Sequence, residues 1–225
     1  SSSSRPSVPA FVFDIDGVLI RGKALLPTAR DALRKVTRRE DGGVHPTGLP
    51  HIFLTNGGGV TEHQKAKQLS ELFGVHVKPE NVILSHTPML DLLDEYRHVP
   101  VLTLGMTDVR SVAESYGFEK VLIPEDLIAQ HPDLVPHLTE HARAKVHKMA
   151  NPDTNTALES IRAIFVMHDP NEWYRDLQLT MDLLTMHITK ATRSSNQPTE
   201  TPLAPPKIYF SNPDFLFTGR AKHPR

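Results

Sequence analysis

Ten residues, 11–20, reading FVFDIDGVLI, constrain this chain more than any other stretch. The apolar run 10–13 reads as a strand buried on both faces, as in a parallel sheet. It ends on Asp14, and the carboxyl ends of strands are where open α/β sheets place their ligands. A side-chain period of two puts Asp14 and Asp16 on one side if the chain stays extended. Gly17 lets the backbone turn sharply just after them. Two carboxylates at the edge of an apolar sheet repel each other, and burial penalises each charge. Such a pair persists where a cation neutralises it or where it does chemistry. Oxygen-only ligands favour a hard cation such as Mg²⁺, which also lets a carboxylate approach an anionic phosphate. An ionised carboxylate can attack phosphorus, and a second carboxyl group two residues on can protonate the leaving oxygen. A calcium loop does not fit: counting from Asp14, the fifth and twelfth positions are Val18 and Leu25, where oxygen ligands are required.

Residues 51–54 form a second short apolar strand, which runs into Thr55-Asn56-Gly57-Gly58-Gly59. Glycines expose backbone N–H groups that can act as an anion nest. A hydroxyl and preorganised N–H donors stabilise the negative charge that develops on transferring phosphoryl oxygens. Neither glycine-rich nucleotide fingerprint fits, since no GK[ST] follows and no glycine falls at the last GxGxxG position.

FVFDIDGVLI resembles the first motif of the haloacid dehalogenase-like (HAD) hydrolases, and FLTNGGG resembles their second. The resemblance implies an α/β fold: a partial Rossmann-like HAD core with a large α/β (C2-type) cap domain. It implies that Asp14 is the nucleophile of an aspartyl-phosphate mechanism and Asp16 the general acid/base. Mg²⁺ would be held by the Asp14 carboxylate and the Asp16 backbone carbonyl, and the phosphoryl group by Thr55, Asn56 and Gly57. Ser211-Asn212-Pro213-Asp214 resembles the segment where the cap of HAD subfamily IIA returns to the core near the substrate, which marks Asn212 and Asp214. Read locally, the same residues make an ordinary Asx turn. Together with His168-Asp169-Pro170, this segment resembles the eukaryotic cat eye syndrome critical region-like branch, often mitochondrial.

The resemblance runs from about residue 8 to 214 and then breaks off. The family's third motif, a Lys or Arg that balances charge at the phosphoryl group, has no counterpart, nor has the fourth, a GDxxxxD-like acidic segment. Lys207 precedes SNPD, and Lys222 has no strand or acidic motif behind it. The expectation is a chain truncated relative to a complete enzyme, binding Mg²⁺ weakly and turning over negligibly, so that its standing as an enzyme is open. The alternative is a non-catalytic HAD-like protein that binds a phosphorylated ligand or a protein partner.

The expected domains are a leader over 1–7, the N-terminal part of the core over 8–60, a cap over 61–206 that ends in a mobile linker over 191–206, and a return to the core over 207–225. Within them, helices are expected over 25–39, capped by Thr28, and over 61–73. Thr87-Pro88 opens another helix, and Thr107 caps one that ends at Tyr116. Strands are expected over 82–84, 99–104, 118–123, 161–167 and 207–210. Asp169-Pro170-Asn171-Glu172 reads as a capping box. It opens a helix with Trp173, Leu177, Met181, Leu184 and Ile188 spaced as a buried stripe. His137-Leu138-Thr139-Glu140-His141 matches HxxEH, with both histidines on one helical face, but reads as a solvated helix among prolines.

A formal net charge of −1 gives no electrostatic case for nucleic acid or an anionic membrane. No apolar run approaches the roughly 18 residues that span a bilayer, and the absence of cysteine excludes disulfides and thiolate metal sites. The partner expected is a small phosphorylated substrate. The Ser-rich start, with one Arg and no acid, is compatible with the tail of a mitochondrial transit peptide, so a mitochondrial or cytoplasmic location is expected.

Overall fold

The computed structural model describes residues 9–22, 24–37, 48–106, 108–193 and 204–214, with side chains in the last helix described to residue 186. The chain divides into two compact units, Ser1–Thr87 with Asp214–Arg225, and Pro88–Pro213. The architecture is mixed α/β with parallel sheets, as expected.

The first unit runs through β1 (Phe11–Asp14), a two-stranded hairpin of β2 (Ile20–Arg21) and β3 (Ala24–Leu25), α1 (Ala29–Thr37), β4 (His51–Leu54), α2 (Glu62–Phe73) and β5 (Val82–Ile83). Its parallel sheet has the order β1-β4-β5, with Phe13 opposite Phe53 and Asp14 opposite Leu54. Ile15, Leu33, Phe53 and Phe73 are fully buried together, and the rings of Phe13, Phe53 and Phe73 stack at 5.9 and 5.8 Å. The sequence at α2 explains its limits. Thr61 and Gln64 form a reciprocal capping box, and Gly74 ends the helix in the left-handed conformation at φ 67°. The helix expected from residue 25 begins only at Ala29, because Ala24 and Leu25 pair with β2 instead. Arg38 and Arg39, its expected end, lie outside the described residues, as does the leader.

One expectation about β1 is corrected. The strand is not buried on both faces: Val12 is 61% exposed, and Phe11 and Asp14 are exposed too. Among the described residues β1 pairs only with β4, so it forms an edge of the sheet.

The second unit holds α3 (Leu93–Tyr96), β6 (Val101–Leu104), α4 (Val109–Tyr116), β7 (Val121–Leu122), α5 (Pro124–Gln130), α6 (Glu140–Met149), β8 (Ala163–Val166), α7 (Trp173–Arg193) and β9 (Lys207–Phe210). Its four strands are all parallel in the order β7-β6-β8-β9. Alternate residues supply two separate cores, as the strand period requires. Val101, Ala163 and Phe165 join Val112 and Tyr116 of α4 on one face. Leu102, Leu104 and Ile164 join Leu127, Val146, Leu179 and Leu183 of α5, α6 and α7 on the other. Both faces of this sheet are covered.

The contact boundary falls between Thr87 and Pro88, which leaves α2 and β5 in the first unit and β9 in the second. Several local expectations are revised. Trp173, Leu177 and Met181 are the exposed stripe of α7, while Arg175, Asp176, Leu179 and Leu183 face inward. The apolar spacing was real but marked the wrong face. The helix opens at Trp173, four residues past Asp169, so Asp169 is not its N-cap; the Asp169 carbonyl accepts from the Met106 N–H. It also runs on to Arg193, into the stretch expected as linker; residues 194–203 are outside the description, as are Thr107 and the Ile188 side chain. Asp108 caps α4. Thr139 caps α6, so His137 precedes the helix and cannot share a helical face with His141.

The charged side chains turned inward in this unit meet opposite charges, although the buried Asp176 Oδ2 has no hydrogen-bond partner among the described residues. Asp126 is fully buried; Arg110 reaches both its oxygens at 2.8 Å, and the N–H groups of Ile123 and Asn151 donate to it at 2.9 and 2.8 Å. Arg175 donates to Glu125 at 2.6 Å and to Asp176 at 2.7 Å. Burial pushes the Asp176 carboxyl above the usual carboxylate range, with Arg175 opposing the shift. Removing one partner of a buried pair strands the other. Asp126→Ala is expected to cost about 3–5 kcal/mol in urea-induced unfolding, and a loss below about 1 kcal/mol would contradict this account.

Candidate active site

The two carboxylates and the glycine run converge because β1 and β4 are parallel and in register. Asp14 lies opposite Leu54, so both strands release their chains at the same level. After β1 the chain folds into a tight turn: the Gly17 N–H donates to Ile20 O at 2.7 Å, and Leu19 and Ile20 both donate to Ile15 O at 3.0 Å. Gly17 has φ 89°, which a residue with a Cβ adopts only with strain. The alternation survives into the turn. Ile15 is fully buried, and Asp14 and Asp16 on either side of it are exposed.

On the neighbouring strand Thr55 is buried, and its N–H continues the ladder by donating to Ile83 O at 3.1 Å. The Thr55 hydroxyl donates to Asp16 Oδ2 at 2.9 Å and accepts from the Gly57 N–H at 3.0 Å. The Gly57 carbonyl in turn accepts from Ser85 N at 3.3 Å. A Cβ on Gly57 would lie 3.3 Å from Thr55 Oγ1 and 3.6 Å from Asp16 Oδ2, so a larger residue would press on the hydroxyl–carboxylate contact. Asp14 is held locally, its Oδ1 accepting from the Ile15 N–H at 2.9 Å. Asn56 donates through Nδ2 to Asp214 Oδ2 at 2.6 Å. Asp214 belongs to the first unit and Asn212 to the second. The structure thus brings Asp16, Thr55 and Gly57 into one hydrogen-bonded group, with Asn56 and Asp214 joined beside it. The resemblance brings these residues to one site, but the particular pairings Asp16–Thr55 and Asn56–Asp214, at separations of 39 and 158 positions, are not fixed by local spacing.

Among the described residues no cluster of three or more His, Cys, Asp or Glu side chains could hold a metal ion. Asp14 and Asp16 do offer oxygen ligands only, which fits Mg²⁺ in kind; Mg²⁺ is commonly bound by one or two carboxylates plus water and substrate phosphate.

A cavity of about 260 Å³ lies elsewhere, in the second unit beyond the ends of β6 and β7, with Asp108, Glu125, Lys145 and Arg175 in its wall. Glu125 and Arg175 are committed to each other there, so the volume does not mark the chemistry expected at Asp14.

Comparison with known proteins bears on the same residues. A family model described as haloacid dehalogenase-like hydrolase matches residues 11–119. The chain is 34% identical over 214 residues, 95% of its length, to a mitochondrial hydrolase of Saccharomyces cerevisiae, and covers 57% of that protein. It is 33% identical over 219 residues, 96% of its length, to a cardiolipin synthase (CMP-forming)/mitochondrial hydrolase fusion protein of Schizosaccharomyces pombe, and covers 34% of it. The chain therefore spans roughly a third to somewhat over half of these relatives. Among solved structures, a hypothetical protein from Pyrococcus horikoshii matches with TM-score 0.57 at 17% identity, over 94% of this chain and 60% of that one. A 4-nitrophenylphosphatase from Thermotoga maritima matches with TM-score 0.56 at 14% identity, over 96% and 59%. A second family model, described as SAM-dependent RNA methyltransferase, matches residues 80–204. The hydrolase alignments cover 95% and 96% of the chain, so they take in nearly all of those residues as well. The segment 11–79, which holds the carboxylates and the glycine run, falls to the hydrolase model alone. Strand register, motif order and these likenesses agree, and the chain has the fold of the haloacid dehalogenase-like hydrolase superfamily.

Proposed function

We propose that this chain carries the nucleophile-bearing half of a site for hydrolysing phosphate monoesters. The observation that supports it best is the 2.9 Å hydrogen bond from Thr55 to Asp16, which joins two strand ends that separately resemble phosphoryl-transfer motifs. On this reading an Asp14 oxygen attacks phosphorus, the bond from phosphorus to the leaving oxygen breaks, and Asp16 delivers a proton to that oxygen. Water then attacks the phosphorus of the aspartyl-phosphate, Asp16 takes its proton, and Asp14 is regenerated. Thr55 has a single hydroxyl proton, which can serve Asp16 or a phosphoryl oxygen but not both. Seating a phosphoryl group therefore takes the donor away from Asp16 and opens that oxygen for proton transfer. Asn56 and the Gly57 N–H complete the seat. Asp14 and Asp16 would hold Mg²⁺, which supplies charge neutralisation between carboxylate and phosphate.

We assign the unit Pro88–Pro213 as the C2-type cap, with Asn212 on its return toward the substrate, and place the chain in subfamily IIA, cat eye syndrome critical region-like branch. The likeness to a mitochondrial hydrolase and to a mitochondrial hydrolase fusion protein supports a mitochondrial location. A non-catalytic role in binding a phosphorylated ligand is the second reading. It is favoured by the exposure of both carboxylates and by the lack, among the described residues, of a third acidic metal ligand.

With Mg²⁺ and a panel of phosphate monoesters, phosphate release by the 225-residue chain is expected to be negligible, and any release to disappear in Asp14→Asn. Release that survives that substitution refutes the assignment of the nucleophile. Thr55→Val should weaken inorganic phosphate binding roughly five- to tenfold in titration calorimetry and cost about 1–2 kcal/mol of stability, while Thr55→Ser retains both. Equal phosphate affinity in Thr55→Val would remove Thr55 from the seat. S-adenosylmethionine is expected to give no binding heat; a Kd tighter than about 100 μM would favour the methyltransferase reading instead.

A further inference from the structure

We propose that Asp214 is a positioning residue for Asn56, fixing which end of its side-chain amide the phosphoryl seat receives. The inference rests on the reading of Thr55, Asn56 and Gly57 as that seat. Two of these three residues are held from neighbouring strands: Thr55 by its N–H on Ile83 and its hydroxyl on Asp16, Gly57 by its carbonyl under the Ser85 N–H. Asn56, between them, is exposed, and the hydrogen bond described for its side chain goes to Asp214 at 2.6 Å.

A carboxylate only accepts, so the amide nitrogen must face Asp214 and the amide oxygen must face away. Without that partner the two ends of an exposed amide are nearly equivalent in shape, and the side chain can turn over. Hydrogen bonds to a charged acceptor are the stronger kind, enough to bias such a choice even at an exposed site. The anchor is distant in sequence, since Asp214 follows the entire second unit. A residue that resembles part of a cap-return segment thereby acts on the motif after β4.

Charge alone would predict the opposite effect. Asp214 adds a negative group beside a seat for an anion, so deleting it should strengthen phosphate binding if it had no positioning role. Two substitutions separate these cases. Asp214→Asn removes the charge and keeps an acceptor; Asp214→Ala removes both.

In ¹⁵N-labelled protein, with the Asn56 side-chain amide assigned through its loss in Asn56→Asp, Asp214→Ala should shift that amide and speed its exchange with water. Asp214→Asn should leave it near its original position. Backbone amides of β6 and β8 serve as the folding control. In calorimetric titration with inorganic phosphate and Mg²⁺, Asp214→Ala should weaken binding roughly five- to tenfold, and Asp214→Asn should not weaken it. An unmoved Asn56 amide in Asp214→Ala, or phosphate binding that tightens equally in both variants, overturns the proposal. Absence of phosphate binding in the wild-type chain refutes the phosphoryl seat itself, and with it any role of Asp214 there, whatever the amide spectrum shows.

Discussion

Everything at the candidate site hangs on the register between β1 and β4. With Asp14 opposite Leu54, the chain after each strand starts at the same height, and the Thr55 hydroxyl meets Asp16. Because the side-chain period of a strand is two, a slip of β4 by one residue would turn Thr55 to the other face, away from Asp16. The register is fixed by apolar burial rather than by the site. Phe53 is fully buried among Ile15, Leu33 and Phe73, so moving β4 by one position would expose it. A core of four large side chains thus places the two polar groups that meet beside it.

The second unit solves a different problem with the same strand geometry. Its sheet is covered on both faces, and successive residues of β6 and β8 belong to opposite cores. The connections beyond the strand ends bring charged groups inward, where each must find partners or lose stability. Asp126 shows how complete the compensation is: two contacts from one guanidinium and two from backbone N–H groups serve its two oxygens. Arg175 likewise ties α7 to Glu125 at the start of α5. These pairs set where helices sit over the sheet, a directional task that apolar contacts leave loose.

How much of this the sequence revealed depends on the range of the interaction concerned. Local signals were legible. The helix expected over 61–73 is α2, and the turn after β1 has the positive φ that Gly17 allows. The convergence of FVFDIDG and TNGGG at one sheet edge was legible through resemblance, since the spacing alone fixes no register. Face assignment failed where two periodic sets competed. On α7 the apolar residues Trp173, Leu177 and Met181 were chosen, yet Arg175, Asp176, Leu179 and Leu183 turn inward. Pattern reading has no means of knowing that a guanidinium will find two carboxylates inside. The exposure of β1 was missed for a related reason: four apolar residues in a row look buried on both sides, whichever sides have neighbours. The pairing of Asn56 with Asp214, 158 positions apart, depends on how the chain between them folds, and the resemblance that marks Asp214 does not name its partner.

The site joins a prepared part to an unprepared one, and this decides which step of the chemistry its described residues favour. Thr55 is buried, engaged on both sides of its hydroxyl and tied to β5, so the donor proposed for the phosphoryl group needs no rearrangement beyond one hydrogen. Asp14 and Asp16 are exposed, and a carboxylate facing water is solvated by dipoles that must reorganise as charge moves. Preorganised electrostatics act most strongly where water is excluded. The geometry among the described residues of the first unit therefore suits holding a phosphoryl group better than attacking it. On the proposed reading, catalysis at Asp14 rests on whatever displaces water from that carboxylate, while recognition at Thr55 rests on strand register.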